Sequence, residues 1–243
     1  MNKKLIKTIA SITCGLGVVA TIPAMSTSCN CSSWIKNAIP KKYLDISDGV
    51  LKGFKNTFVA DEHINDGYDT LLIPKDVVTI AAHAFDSDEE SSIVIPTYIA
   101  NIIFENNSKI NNIESYAFNF AGFSPDKITF PEGLTQLGSM YNMSWGNSII
   151  TIPSSLNEID QNYIFSGEYS WISTLIFNNV DLNKNHAWLQ KINSVSFSDS
   201  LRTEGVIRVS GNSTSTSQEV LDYLKTHTAA ESGLSSFDNW IAI

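Results

Sequence analysis

The chain has 243 residues, 43% hydrophobic and 17% charged, an ordinary globular composition long enough for one or two domains. Its formal net charge is −9, and because residues 1–28 carry three Lys and no acidic residue, the remainder bears −12. That balance argues against nucleic acid or an anionic membrane surface as the main partner, since both are polyanions, and it suits a soluble, self-repelling exported protein.

The first element in chain order is a targeting segment. "MNKKLIKTIASITCGLGVVATIPAMSTSC" sets Lys3, Lys4 and Lys7 ahead of an apolar stretch from Ile9 to Met25, and small residues follow. This is the order of a cleaved secretory signal. The alternative, a retained transmembrane anchor, needs about 20 apolar residues, and the stretch falls just short of that with no basic cluster closely behind it. Of the three Cys, Cys14 lies within the signal, and Cys29 and Cys31 form "SCNC" with none beyond them. Packing must therefore stabilise the body of the chain. Ser26, Thr27 and Ser28 place small residues directly before Cys29, which resembles the lipobox of bacterial lipoproteins. With the "MNKK" start, the leader is similar to those of mollicute lipoproteins. The resemblance implies cleavage before Cys29, diacylglycerol on its thiol, and a membrane association through that anchor alone, at the outer face of the cell membrane. Ser26 departs from the aliphatic residue usual at that position. Without acylation the chain would be secreted with an exposed thiol pair.

Residues 29–42, with "SSWIKNAIPKK", read as a polar tether holding one Pro. Residues 43–68 read as an N-terminal capping segment, a coil or hairpin in which Ile46, Val50, Leu51 and Phe54 surround Gly49 and Gly53. Between 69 and 211, strand-like runs recur: "DTLLIP" (69–74), "SSIVIP" (91–96), "NIIFEN" (101–106), "DKITFP" (126–131), "SIITIP" (148–153), "STLIFN" (173–178), "NSVSFS" (193–198) and "GVIRVS" (205–210). Each has apolar residues two apart, the period of a strand. Their second inward residues are Ile73, Ile95, Phe104, Phe130, Ile152, Phe177, Phe197 and Val209, spaced 22, 9, 26, 22, 25, 20 and 12 residues. Spacings of 20–26 predict a stacked repeat of the leucine-rich kind. The short step from Ile95 to Phe104 is either a repeat that has lost its turn or two runs paired some other way.

Pro74, Pro96, Pro131 and Pro153 mark strand ends, because Pro has no N–H to donate to a ladder. Beyond them Val77, Leu134 and Leu156 are followed three positions later by Ile80, Leu137 and Ile159, a step that predicts a short helical or 3₁₀ turn. "VVTIAAHAF" (77–85) and "INNIESYAF" (110–118) then share an Ala-Phe pair, the Ala allowing close approach of the next coil and the Phe filling the space between layers. The third repeat lacks that pair and has Met140, Tyr141, Met143 and Trp145 instead, read as core filler. One coil cannot bury both its faces, so copies must stack.

"IPKDVVTIAAHAF", "FENNSKINNIESYAF", "FPEGLTQLG" and "IPSSLNEIDQNYIF" resemble the BspA-type leucine-rich repeats of bacterial surface proteins, well over 69–165 and loosely over 166–211. The resemblance implies an α/β leucine-rich-repeat solenoid, right-handed, with a short-stranded parallel sheet on its concave face. Residues 212–243 complete this organisation: "SGNSTSTS" reads as a flexible link, and Thr216 to Glu219 fits a capping box opening a helix that carries Val220, Leu221 and Leu224 on one face. A terminal helix of this kind covers the last coil.

Alternation along each strand leaves an outward column of Leu72, Val94, Ile103, Thr129, Thr151, Ile176, Ser196 and Arg208. The column before it reads Thr70, Ser92, Asn101, Lys127, Ile149, Thr174, Ser194 and Val206. Neither holds an Asp or Glu. Exposed apolar surface with a polar rim marks a contact site, so the central column is the candidate concave binding face; strand propensity or covering loops are the plainer explanation.

Chemistry-bearing motifs are missing. His63, His83, His186 and His227 form no HExxH and no close cluster, and His83 is expected in solvent. "DSDEE" (86–90) reads as a solvated loop. "DLNKNHAW" opens like a calcium loop but has His186 where Gly is needed and Ile192 where the bidentate Glu belongs. No catalytic residue, metal or cofactor is expected. The expected function is binding or display of a protein or host-surface ligand, adhesin-like by the family resemblance. The alternative is an exported glycan hydrolase with loop carboxylates, whose two acids should face each other across a groove at roughly 5–10 Å. Replacing Cys29 by Ser should move the protein from the membrane fraction to the soluble or secreted fraction on cell fractionation; unchanged membrane retention would rule out the lipid anchor.

Overall fold

The computed structural model divides the chain into two units, Met1–Cys31 and Ser32–Ile243. The residues described are 35, 37–56, 58, 67–86, 99–119, 124–140, 143, 148–160, 172–183, 205–227 and 239–243, all in the second unit. Cys29 and the leader lie outside them, as do Val94, Ser196, Tyr141 and Trp145.

The fold is α/β, with mostly parallel sheets and, among the described residues, one α-helix. A hairpin opens it: β1 (Leu44–Ser47) and β2 (Val50–Phe54) pair antiparallel across Asp48-Gly49, both at positive φ, 52° and 76°. Asp-Gly at positive φ is the pairing that a two-residue hairpin turn demands, because its twist matches that of the flanking strands. Longer strands then alternate with two-residue strands. The longer ones are β3 (Thr70–Ile73), β5 (Asn101–Phe104), β7 (Lys127–Thr129), β9 (Ser148–Ile152), β11 (Ile172–Val180) and β12 (Val206–Gly211). The short ones are β4 (Thr79–Ile80), β6 (Asn112–Ile113), β8 (Gln136–Leu137) and β10 (Glu158–Ile159). Helix α1 (Ser217–His227) and strand β13 (Asn239–Ala242) close the chain.

Three sheets result, in the orders β1-β2-β4-β6-β8-β10, β3-β5 and β13-β12-β11-β9-β7. In the first, Leu51, Ile80, Ile113, Leu137 and Ile159 stand in register and are all buried. Ile80, Leu137 and Ile159 were expected in helical turns, and the structure puts them in strands. The Val77 N–H does close one turn onto the Pro74 carbonyl, at 3.0 Å, and Leu134 and Leu156 do the same with Pro131 and Pro153. The next N–H groups leave the local chain: those of Val78 and Thr79 go to the Gly49 carbonyl, and those of Thr135 and Gln136 to the Asn111 carbonyl. A backbone donor claimed by a neighbouring repeat cannot continue a helix.

Strand order also departs from the sequence reading. β3 pairs directly with β5, Leu72 opposite Ile103, and β11 pairs directly with β12, Ile176 opposite Arg208. Val94 and Ser196, expected between them in the column, lie outside the described residues. So does the run at 91–96, and with it the step of nine residues; the run at 101–106 neighbours that at 69–74.

The buried side chains form one connected core. The repeated Ala-Phe pair does what its spacing implies: the Phe85 N–H donates to the Ala117 carbonyl at 2.8 Å, and Phe54, Phe85 and Phe118 pile up with ring centroids 5.0 and 5.3 Å apart. Met140 and Met143 are buried where the third repeat lacks its Phe. Two glycines permit the tight approach. A Cβ on Gly53, at φ +127°, would collide with the Ala84 carbonyl oxygen, and one on Gly138 with the Ser115 backbone.

At both ends the described chain is more ordered than its composition suggests. Residues 37–42 belong to the fold and not to a tether: Ile39 is 2% exposed, and its N–H donates to the Thr70 carbonyl at 2.9 Å. The Ser/Thr-rich stretch before α1 is a hydrogen-bonded turn. Asn212 Oδ1 accepts from the N–H groups of Thr214 and Ser215 at 2.8 and 3.0 Å, and buried Ser215 receives the Leu182 N–H. Short polar side chains satisfy backbone groups locally, which a composition-based reading treats as flexibility. The capping box forms as expected. The Glu219 N–H reaches Thr216 Oγ1, and the Glu219 carboxylate accepts the Thr216 N–H at 2.7 Å and the Thr216 hydroxyl at 2.9 Å, two bonds that hold that carboxyl below its usual range. Val220, Leu221 and Leu224 of α1 are buried. Phe118→Ala should cost about 3–5 kcal/mol as a large core truncation, read as a lowered midpoint in urea unfolding; an unchanged midpoint would show that the aromatic pile does not carry the fold.

Candidate binding face

The five-stranded sheet has one buried side and one outward side. Ile128, Ile150, Leu175, Ile207 and, packed against the core, Trp240 point inward at matching positions. The residues between them point outward in two columns, in register across all five strands. One column is Lys127, Ile149, Thr174, Val206 and Asn239; the other is Thr129, Thr151, Ile176, Arg208 and Ile241. At about 4.8 Å per strand the face is about 19 Å wide.

Of the residues assigned to this face from the sequence, Thr129, Thr151, Ile176 and Arg208 come together in one column. Leu72 and Ile103 sit opposite each other on the two-stranded sheet. Ile103 is 36% exposed and lies in a groove of about 550 Å³ that opens where β5 and β7 fail to pair. The two segments still touch at their start, where the Ser124 N–H reaches the Ile99 carbonyl at 3.0 Å. Sequence reasoning missed Asn239 and Ile241, which extend the face by a fifth strand. Their signal was the alternation in "NWIAI", too short to separate from a closing loop.

Acidic side chains follow a different rule. The Glu105 carboxylate accepts the Lys75 N–H at 2.9 Å, and Glu114 accepts the Ala82 N–H at 2.8 Å. Glu132 accepts from Ser154, Glu158 from the Gln136 amide, and Asp160 from the Ser115 hydroxyl. Each bond reaches a segment 22–45 residues away, so these carboxylates staple neighbouring repeats, Asp160 reaching across one. Glu114, Glu158 and Asp160 border a shared groove of about 520 Å³ on the first sheet, yet each carboxylate there already serves a donor from another repeat.

Lys127 and Arg208 are exposed, and neither makes an ion pair or side-chain hydrogen bond among the described residues. His83 is exposed as expected; its Nδ1 lies 2.6 Å from Asp86, and its ring stacks on Tyr116. Asp181 accepts from the Asn183 N–H and the Thr214 hydroxyl, turn contacts of its own. Among the described residues no group of three His, Cys, Asp or Glu is placed to hold a metal, and no helix is long and apolar enough to cross a membrane. No family model, no curated protein and no solved structure matches the chain.

The two kinds of charge should differ on mutation. Asp160→Ala removes the acceptor of a part-buried hydroxyl and should cost about 1 kcal/mol, while Lys127→Ala and Arg208→Ala should stay within about 0.5 kcal/mol of wild type. Urea midpoints check both; equal costs would contradict the division.

Proposed function

We propose that this chain is a lipid-anchored, non-enzymatic surface protein built as a BspA-type leucine-rich-repeat solenoid. In this reading Cys29 holds it at the outer leaflet, and the outward face of the five-stranded sheet is displayed to a protein or host-surface ligand. The solenoid reading is supported by paired strands that lie 22–33 residues apart along the chain and by the single connected core that they share. Repeats stacked in this way give a rigid, extended surface suited to binding.

The observation that carries the binding role is the composition of the two outward columns. Ten in-register positions hold four aliphatic residues, three Thr, one Asn, one Lys and one Arg, with no acid, in a chain with 25 Asp and Glu. Aliphatic side chains left on an outward face contribute stability only when something covers them.

Thr151→Arg combined with Ile176→Arg puts two long cations at the centre of the face without touching the core. The double variant should fold with a wild-type circular dichroism spectrum and should capture a changed set of ligands from a host-surface protein extract. An unchanged set captured by a folded double variant would remove the face from the function.

A further inference from the structure

The face is selective about charge, and this selectivity points to the chemistry of its partner. Strand propensity disfavours Asp and Glu in general, but it does not explain their exclusion here. The first sheet of the same molecule carries Asp45 and Glu158 at exposed strand positions, while Asp126 and Asp181 flank strands of the five-stranded sheet without entering its outward columns. Acids are tolerated on one sheet and missing from the outward positions of the other. The two charges that do occur there are cations without partners among the described residues, in a chain of formal charge −9.

The register places the two cations. Lys127 and Arg208 lie three strands apart, β7 to β12, and one outward position apart along the strand. Three steps of about 4.8 Å and one of about 6.6 Å give a diagonal of about 16 Å. Ile149, Thr151, Thr174 and Ile176 occupy the ground between them.

We propose that this face recognises an acidic, apolar segment of a partner protein in extended conformation. Two carboxylates of that segment seat on Lys127 and Arg208, and its aliphatic side chains cover Ile149, Ile176 and Ile241. The proposal rests on the face being the binding surface and adds the partner's chemistry to it. An extended peptide rises about 3.3 Å per residue, so a diagonal of about 16 Å spans about five residues, and because alternate side chains point to opposite faces the two acids stand about four or six apart. A nucleic acid or a sulfated polysaccharide fits worse. Its closely spaced charges would meet two cations and a floor of Ile and Thr, and the acidic remainder of the chain would repel it.

The test is selection of a displayed library of random ten-residue peptides on the immobilised full chain. Wild type should enrich peptides with two Asp or Glu four or six positions apart and Val, Ile or Thr between them. The charge-reversed variant Lys127→Glu with Arg208→Glu should enrich Lys or Arg at the same spacing, and should bind a synthetic copy of a wild-type-selected peptide about tenfold or more weakly. If the pair lowers the melting temperature, Arg208→Glu alone gives the same discrimination. Enriched peptides without acids, or identical selections by wild type and the reversed variant, overturn the proposed chemistry while leaving the face as a binding surface. Selections unaffected by Thr151→Arg with Ile176→Arg overturn the face itself. Preferential capture of an added single-stranded oligonucleotide or heparin, steeply weakened by salt, overturns the peptide in favour of a polyanion.

Discussion

The constraint on which this structure depends is the incompleteness of a short strand. A two- to five-residue strand has one apolar side to bury and backbone groups on both edges to satisfy, and it can do neither alone. Each repeat here resolves this by lending its backbone to the next. Val78 and Thr79 donate to Gly49, Asn111 and Asn112 donate to Val78, and Thr135 and Gln136 donate to Asn111. The same handover stacks Leu51, Ile80, Ile113, Leu137 and Ile159 into one buried file, and Phe54, Phe85 and Phe118 into another. Because every layer supports its neighbour, packing is distributed along the described chain.

That architecture determines where charge can be used. Glu105, Glu114, Glu132 and Glu158 receive hydrogen bonds from adjacent repeats, and Asp160 from one two repeats away, which turns acidic side chains into structural links. Carboxylates already engaged in such links are poorly placed for acid–base chemistry, which requires a group free to exchange its proton with a substrate. The outward side of the five-stranded sheet carries no such links. It keeps aliphatic residues, threonines and two cations, a composition of little use to folding and well suited to recognition.

Particular residues show how far sequence reasoning reaches. The inward positions were legible in most of the described strands, Leu71 and Ile73, Ile128 and Phe130, Ile150 and Ile152, Leu175 and Phe177, Ile207 and Val209, because each pair is apolar at a spacing of two, while Phe104, expected inward, is half-buried. The capping box at Thr216 was legible because its two side chains are three positions apart and meet locally. The strand character of Ile80, Leu137 and Ile159 was not. A two-residue strand is too short to display a period, and its hydrogen bonds belong to a distant segment. Residues 212–216 misled for a related reason, since Asn, Ser and Thr are the residues both of flexible links and of tightly bonded turns.

The amino-acid sequence by itself determined which side chains face the core and roughly how long each repeat is, because both follow from local periods that survive without knowledge of neighbours. Tertiary structure alone decided which strands are adjacent: β3 beside β5 and β11 beside β12, a break between β5 and β7, and β13 as a fifth member of the outward face. An extended segment offers the same N–H and C=O groups to any neighbour. The entropy of closing the intervening loop changes only slowly with its length, so a 31-residue step is about as accessible as a 22-residue one. Choice of neighbour is therefore made by packing of the whole core.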